Sequence, residues 1–243
     1  MLLLNCDLGE SFGSWQMGLD SQAMPYIDQA NIACGFHAGD PDVMQRTLAL
    51  AKQHNVAIGA HPAYPDLQGF GRRSLHCSET EIINFLHYQI AALSGMAQCQ
   101  GLSVSYVKPH GALYNDMMSK PAVWQAVVKA MASYHTPLPL MILASKDAGL
   151  YWQYATEHGV KLMFEAFADR RYTAQGKLTP RSQPGAVLHG AEVLAQVKQL
   201  LQRGSVITDS GTELPLEADT LCVHGDNPEA IAQLQAIRQL LQP

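Results

Sequence analysis

Residues 29–54 read QANIACGFHAGDPDVMQRTLALAKQH. Gln29–Cys34 is short and mostly apolar, His37 follows between Gly35 and Gly39, and Asp40–His54 then repeats its apolar residues at helical period. A buried strand that passes through a glycine-rich turn into a helix is the building unit of a parallel α/β sheet. The unit recurs. Runs of the same kind at Leu2–Cys6, Val56–Gly59, Val104–Val107, Leu138–Leu143, Val160–Phe164 and Thr220–Val223 bring the expected strands to seven. Helix-period segments lie between them at Ser78–Gln100, Lys120–Ser133, Lys146–His158 and His189–Arg203, and Pro228–Leu241 closes the series. Ser78 with Glu81 forms a capping box, and Asn227 before Pro228 marks a first turn. Such alternation implies right-handed crossovers and a parallel sheet, closed as a barrel or open and doubly wound.

A length of 243 residues suits one α/β domain, and 47% hydrophobic with 15% charged residues suffices for a large core. A formal charge of -5 without any Lys/Arg run gives no electrostatic reason to expect nucleic acid or an anionic membrane as partner. The opening MLLLNCDLGES lacks a basic flank and a cleavage site, and no apolar stretch reaches membrane-span length, so a cytoplasmic protein is expected. Five cysteines, none in a CxxC spacing, read as reduced thiols, with Cys6, Cys34 and Cys222 buried as small apolar groups. The stretch Tyr172–Gly185 contains Gly176, Pro180 and Pro184, is long for a plain connection, and is expected to be a mobile surface lid.

The chemistry gathers where the strands end. The runs lead into Asn5-Cys6-Asp7-Leu8-Gly9-Glu10, Cys34-Gly35-Phe36-His37, Gly59-Ala60-His61-Pro62, Lys108-Pro109-His110-Gly111, Glu165 to Arg171, and His224-Gly225-Asp226. In a parallel sheet all carboxyl ends point one way, and ligands bind at that face. Asp7, His37, His61, Lys108, His110 and His224 are therefore the expected catalytic group. Asp7, His37, His61 and His224 should share a site on the order of 10 Å across. His37, flanked by glycines, is expected to project into an open site, and His61 is held out of helix by Pro62. Lys108 and His110 place a cation beside a base, as stabilisation of an oxyanion or phosphate requires. Asp7, His37 and His61 can also be read as ligands of a divalent metal, although no HxxxH or HExxH spacing tightens that set. GxxxxGK[ST], GxGxxG after a strand and GxSxG are all absent.

The segments NCDLGESFG, ANIACGFHAGDP, GAHPAYPDLQGFGRR, VKPHGALYN, EAFADRRY and VHGDNP resemble, in order and spacing, those of the LamB/YcsF family, from Asn5 to Pro228. The resemblance implies a distorted parallel (β/α) barrel of about seven strands, related to the glycoside hydrolase/deacetylase superfamily. It implies cleavage of the lactam of 5-oxo-L-proline to L-glutamate with hydrolysis of ATP, ATP being a co-substrate carried with Mg2+, and two further subunits, B and C. Activating a stable lactam needs cations, a base for water and an anchor for the substrate carboxylate. Lys108, Arg72, Arg73, Arg170 and Arg171 are the available cations, and Asp7 with His37 or His61 is the pair expected to activate water. Glu10, Arg72, Arg73, Asp169, Arg170 and Asp226 are assigned to substrate or phosphate. The alternatives are a stand-alone metal-dependent deacetylase or amidohydrolase, and a non-catalytic scaffold subunit.

Overall fold

The computed structural model describes residues 2–224 and 228–241. Its strands are β1 (Leu3–Leu8), β2 (Gln29–Ala33), β3 (Ala57–His61), β4 (Val104–Val107), β5 (Leu140–Leu143), β6 (Leu162–Phe167), β7 (Ser205–Ile207), β8 (Glu213–Pro215) and β9 (Thr220–Cys222). Seven of them, all parallel, close a barrel in the order β1-β2-β3-β4-β5-β6-β9, with β9 joining both β6 and β1. Helices α1 (Asp20–Ala23), α2 (Pro41–His54), α3 (Glu79–Cys99), α4 (Gly111–Met117), α5 (Pro121–Ser133), α6 (Ala148–Glu157), α7 (Ala191–Arg203) and α8 (Pro228–Leu241) connect or follow the strands. β7 and β8 pair as a separate antiparallel hairpin after α7. All seven expected barrel strands are present. The hairpin, α1 and α4 were not expected, because elements of three to seven residues leave too few repeats for a period to show. No described helix is long and apolar enough to cross a membrane.

Three strand ends differ from expectation in a way that matters. β1 continues to Leu8, β3 to His61 and β6 to Phe167, so Asp7, His61 and Glu165 stand inside their strands rather than beyond them. The ladder accounts for this, since Asp7 pairs with Asn31 and His61 with Ala33 across β2. The expected capping box of α3 is present, and Asp40 caps α2 by accepting from Val43 N.

Alternation along each strand sorts the core into two chemistries. Leu4, Cys6, Leu8, Ile32, Ile58 and Val107 pack in one apolar cluster with Leu48, Leu86, Ile90, Val127 and Leu234 of the surrounding helices. The other face fills the barrel, and it is polar. Asn5 Nδ2 donates to Thr220 Oγ1 at 2.9 Å, Asn31 Nδ2 to Asn5 Oδ1 at 2.8 Å, and the Tyr106 hydroxyl to Asn31 Oδ1 at 2.7 Å. Buried polar atoms tolerate such a place only when paired, so each link supports the next.

Tyr106 reaches the barrel axis because its neighbour has no side chain. A Cβ on Gly59 would overlap the Tyr106 ring, and the β3–β4 register shifts at Ile58/Gly59. β4 meets β5 at the single pair Val107↔Leu140, the thinnest seam of the barrel. Gly59→Ala should lower stability by about 1–3 kcal/mol, the usual scale of overpacking. The drop should appear as a lower urea midpoint at unchanged slope, and adding Tyr106→Val should recover part of it. An unchanged midpoint in the single variant would refute the close approach.

Candidate active site

At the carboxyl end of the barrel Lys108 points inward and is buried. Its ammonium lies 2.9 Å from Asp7 Oδ1, 3.1 Å from Glu165 Oε2, 3.3 Å from Asn5 Oδ1 and 3.2 Å from Cys222 Sγ. Asp7 Oδ1 also accepts from Asn31 Nδ2 at 2.8 Å, leaving Oδ2 to face His61 Nε2 at 3.4 Å. His61 donates from Nδ1 to the Lys108 carbonyl at 2.6 Å. His110, just ahead of α4, donates from Nε2 to the Phe70 carbonyl at 2.9 Å. Both assignments follow from the partner, since a carbonyl oxygen only accepts. The remaining nitrogens, His61 Nε2 and His110 Nδ1, face each other at 2.9 Å.

His37 is where expectation and structure part. It is 1% exposed, and its ring lies flat on that of His110 at 3.8 Å instead of opening to solvent. The loop from Leu67 to Arg73 covers it: the Phe70 ring stands edge-on at 5.6 Å, and Gly71 packs against both imidazoles. Gly71 has φ +64, and a Cβ there would come within 2.8 Å of His37 and 2.9 Å of His110. Glu10 Oε1 lies 3.5 Å from His37 Nε2 and 3.7 Å from His110 Nδ1.

Above this floor opens a cleft of about 490 Å³. Asp7, His61, Lys108 and His110 form its base, Leu143, Phe167, Leu178 and Met118 give it an apolar wall, and Arg72, Arg170, Lys177, Arg181 and His224 surround it with cations or donors. Lys177, Leu178, Pro180 and Arg181 come from the stretch Tyr172–Gly185, which thus walls the site. Tyr172 roots that stretch in the core, its hydroxyl accepting from Phe167 N, and Arg170 holds it from within by donating to the Thr179 carbonyl at 2.7 Å.

A family model described as LamB/YcsF family matches residues 2–243. The chain belongs to the LamB/YcsF family. The 5-oxoprolinase A subunit of Vibrio cholerae serotype O1 is 57% identical over 239 residues, covering 98% of this chain and 96% of the relative. The 5-oxoprolinase A subunit numbered 2 in Pseudomonas putida is 57% identical over 241 residues, covering 99% and 93%. Among solved structures, the lactam utilization protein of Thermus thermophilus superposes with a TM-score of 0.91 at 38% identity, covering 99% of this chain and 95% of that one.

Within this LamB/YcsF site the expected residues divide into groups. Asp7, His61, Lys108, His110 and His224 share the cleft, while His37 and Glu10 lie beside its floor. Arg72 lines the cleft with its guanidinium 5.0 Å from the Phe70 ring centre. Arg73 turns away and grips the Asp66 carboxylate, stapling the loop that covers His37, so its placement is structural. Asp169 faces His224 and not the cleft: His224 Nδ1 lies 2.5 Å from Asp169 Oδ2. Arg171 binds the Gly185 carbonyl and Glu192, outside the site. Asp226 lies outside the described residues. Sequence reasoning missed Glu165, Arg181, Tyr114 and the buried Asn5 and Asn31. For Asn5 the signal was present, because Asn5 and Asp7 stand two apart on one strand and so share a face.

The charges in the site are strongly biased. Burial opposes ionisation of Asp7, but the adjacent His61 and Lys108 outweigh it and hold the carboxyl well below its usual range. Burial dominates at Glu165 and raises it despite Lys108. Burial works against the charge on Lys108 too, yet Asp7, Cys222 and Glu165 raise it well above the ordinary value. Burial, helped by neighbouring rings, pushes His37 and His110 well down, so both are neutral. At His224 burial favours the neutral ring, and Asp169 outweighs it to raise the value. A histidine raised on folding stabilises fully below its unfolded value of about 6.5, and that contribution is lost as pH rises through the folded value. NMR titration should find His224 above 6.5, and Asp169→Asn should lower it and flatten the loss of stability on the alkaline side. Titration of His224 at or below 6.5 would contradict the pairing.

Proposed function

We propose that this chain is the A subunit of an ATP-dependent 5-oxoprolinase, a hydrolase that opens the cyclic amide of 5-oxo-L-proline to give L-glutamate. The observation that carries the reading is the cleft floor, where an ammonium, a carboxylate and an imidazole converge beneath a cationic rim. The identity to the Vibrio cholerae and Pseudomonas putida subunits supports it, as does the fold shared with the lactam utilization protein.

The ligand's chemistry matches the walls. A five-membered lactam is apolar along its methylene edge and anionic at its carboxylate, and the cleft offers Leu143 and Phe167 beside Arg72 and Arg181. Amide resonance makes the ring carbonyl a poor electrophile, and transfer of a phosphoryl group from ATP to the carbonyl oxygen removes that resonance. Water then adds to the carbon, the C–N bond breaks, and a second water releases the phosphate. Asp7 Oδ2, aimed by the contacts of Oδ1 with Lys108 and Asn31, takes the proton from water. The Lys108 ammonium offsets negative charge that develops on oxygen, with no reorganisation at the moment of reaction. Arg72, Lys177, Arg181 and His224 hold the substrate carboxylate and the phosphate.

ATP, carried with Mg2+, enters as co-substrate, and subunits B and C complete the enzyme. Dependence on ATP places the reaction in the cytoplasm. The stretch Tyr172–Gly185 acts as a lid, rooted at Tyr172 and closing over the lactam with Arg181.

In an assay of ATP-dependent glutamate release with B and C present, Asp7→Asn should reduce turnover by about two orders of magnitude or more. Near-normal turnover in a folded Asp7→Asn protein would remove Asp7 from the chemistry. The lid makes a separate demand: saturating 5-oxoproline should slow amide hydrogen exchange in residues 176–185 relative to β1 and β2. Equal exchange with and without substrate would leave the loop a fixed wall.

A further inference from the structure

Four side chains able to donate electron pairs, Glu10, His37, His61 and His110, converge beneath the cleft. His61 commits its Nδ1 proton to the Lys108 carbonyl and His110 commits its Nε2 proton to the Phe70 carbonyl. The other nitrogen of each ring, His61 Nε2 and His110 Nδ1, is left to offer a lone pair, and those two nitrogens face each other at 2.9 Å. Neither nitrogen of His37 has a hydrogen-bond partner, although the ring is buried, and Glu10 Oε1 is buried and equally unpartnered. His37 Nε2 and Glu10 Oε1 are 3.5 Å apart, and ligand atoms of Glu10, His37, His61 and His110 all lie within 4.8 Å of one another. Acceptors that crowd together in a buried place repel one another and lack the partners burial demands. A proton shared by His61 and His110 would relieve that pair alone and leave His37 and Glu10 unanswered.

A cation answers all four. We propose that Glu10, His37, His61 and His110 form a binding site for one divalent transition-metal ion. Metal–nitrogen and metal–oxygen bonds of about 2.0–2.2 Å set tetrahedral neighbours roughly 3.4 Å apart, close to the spacing here. Three imidazoles and one carboxylate suit zinc and its neighbours better than magnesium, which prefers oxygen. The outer contacts point the same way: histidines that bind metals commonly donate their other ring proton to a backbone carbonyl, as His61 and His110 do. The Gly71 loop then has a second purpose, since it closes over His37 and keeps the site dry. The site does not depend on the reaction assigned above, and its ligand set replaces the Asp7, His37 and His61 set read from sequence. Asp7 is committed through Oδ1 to Lys108 and Asn31 and borders the site only through Oδ2.

The test is metal binding by the purified chain, stripped with a chelator and titrated with Zn2+ by calorimetry, with Co2+ as a spectroscopic probe. One equivalent of Zn2+ should bind per chain, and Co2+ should give the intense visible bands of a four-coordinate site. Glu10→Gln and His37→Asn should each weaken Zn2+ binding at least about 100-fold, beyond the 10–100-fold usual for loss of an outer partner. His189→Ala, remote from the cluster, should leave affinity unchanged. Circular dichroism identifies a variant that fails to fold, and the conservative Glu10→Gln is then the deciding one. Substoichiometric Zn2+ binding would overturn the proposal, as would affinity unaltered by a folded Glu10→Gln. Lactam cleavage measured on the same stripped sample separates failure of the metal site from failure of the assigned reaction.

Discussion

A buried ammonium must be answered by charge and hydrogen bonds, and in this barrel one lysine collects its answers from three other strands. Lys108 follows β4, Asp7 and Asn5 come from β1, Glu165 from β6 and Cys222 from β9. Taking such an ion out of water costs several kcal/mol even after relaxation, so each partner is held in place by the penalty of losing it. Asn5 and Asn31 extend that constraint downward, joining the charge cluster to Thr220 and Tyr106. The polar column therefore sets the mutual position of the strands and, at its upper end, the groups available for chemistry. The geometry of the cleft floor and barrel closure rest on the same bonds.

The site is assembled from two kinds of element with different physics. The floor is strand-borne and dry, where local dielectric strengthens every electrostatic contact. The cationic rim is loop-borne: Arg72 comes from the segment stapled by Asp66 and Arg73, and Lys177 and Arg181 come from the stretch anchored by Tyr172 and Arg170. Arg73 thus serves the site by fixing backbone while Arg72 beside it meets the cleft, and Arg170 both lines the cleft and holds the Thr179 carbonyl.

Much of this was legible in the sequence, and the reasons for the remainder are physical. Apolar runs followed by helical periods gave all seven barrel strands, and repeated ionisable groups after those runs located the active face. The runs stopped short at Cys6 and Gly59 because polarity was read as the end of a strand, whereas a barrel with a polar interior carries Asp7 and His61 inside its strands. The same assumption hid Glu165, which sits among apolar neighbours. His37 lies beside the cleft floor rather than opening into it, because a loop some thirty residues later in the chain buries it, and no local pattern reports that. Arg72 and Arg73 are adjacent and chemically alike, and only the position of Asp66 decides which one faces the cleft.

The thin seam between β4 and β5 divides the site by origin. Asp7, Glu10, His37, His61, Lys108 and His110 all belong to the first four strands and their loops, whereas Glu165, Asp169, Arg181 and His224 belong to the remainder. On the far side the two parts are joined by three paired positions between β1 and β9, but at β4–β5 by one. Backbone bonding resists separation least at that junction. Any separation there would shift Glu165, Arg181 and His224 relative to Asp7, Lys108 and Arg72, and it is opposed by the Lys108–Glu165 ion pair that spans the two parts.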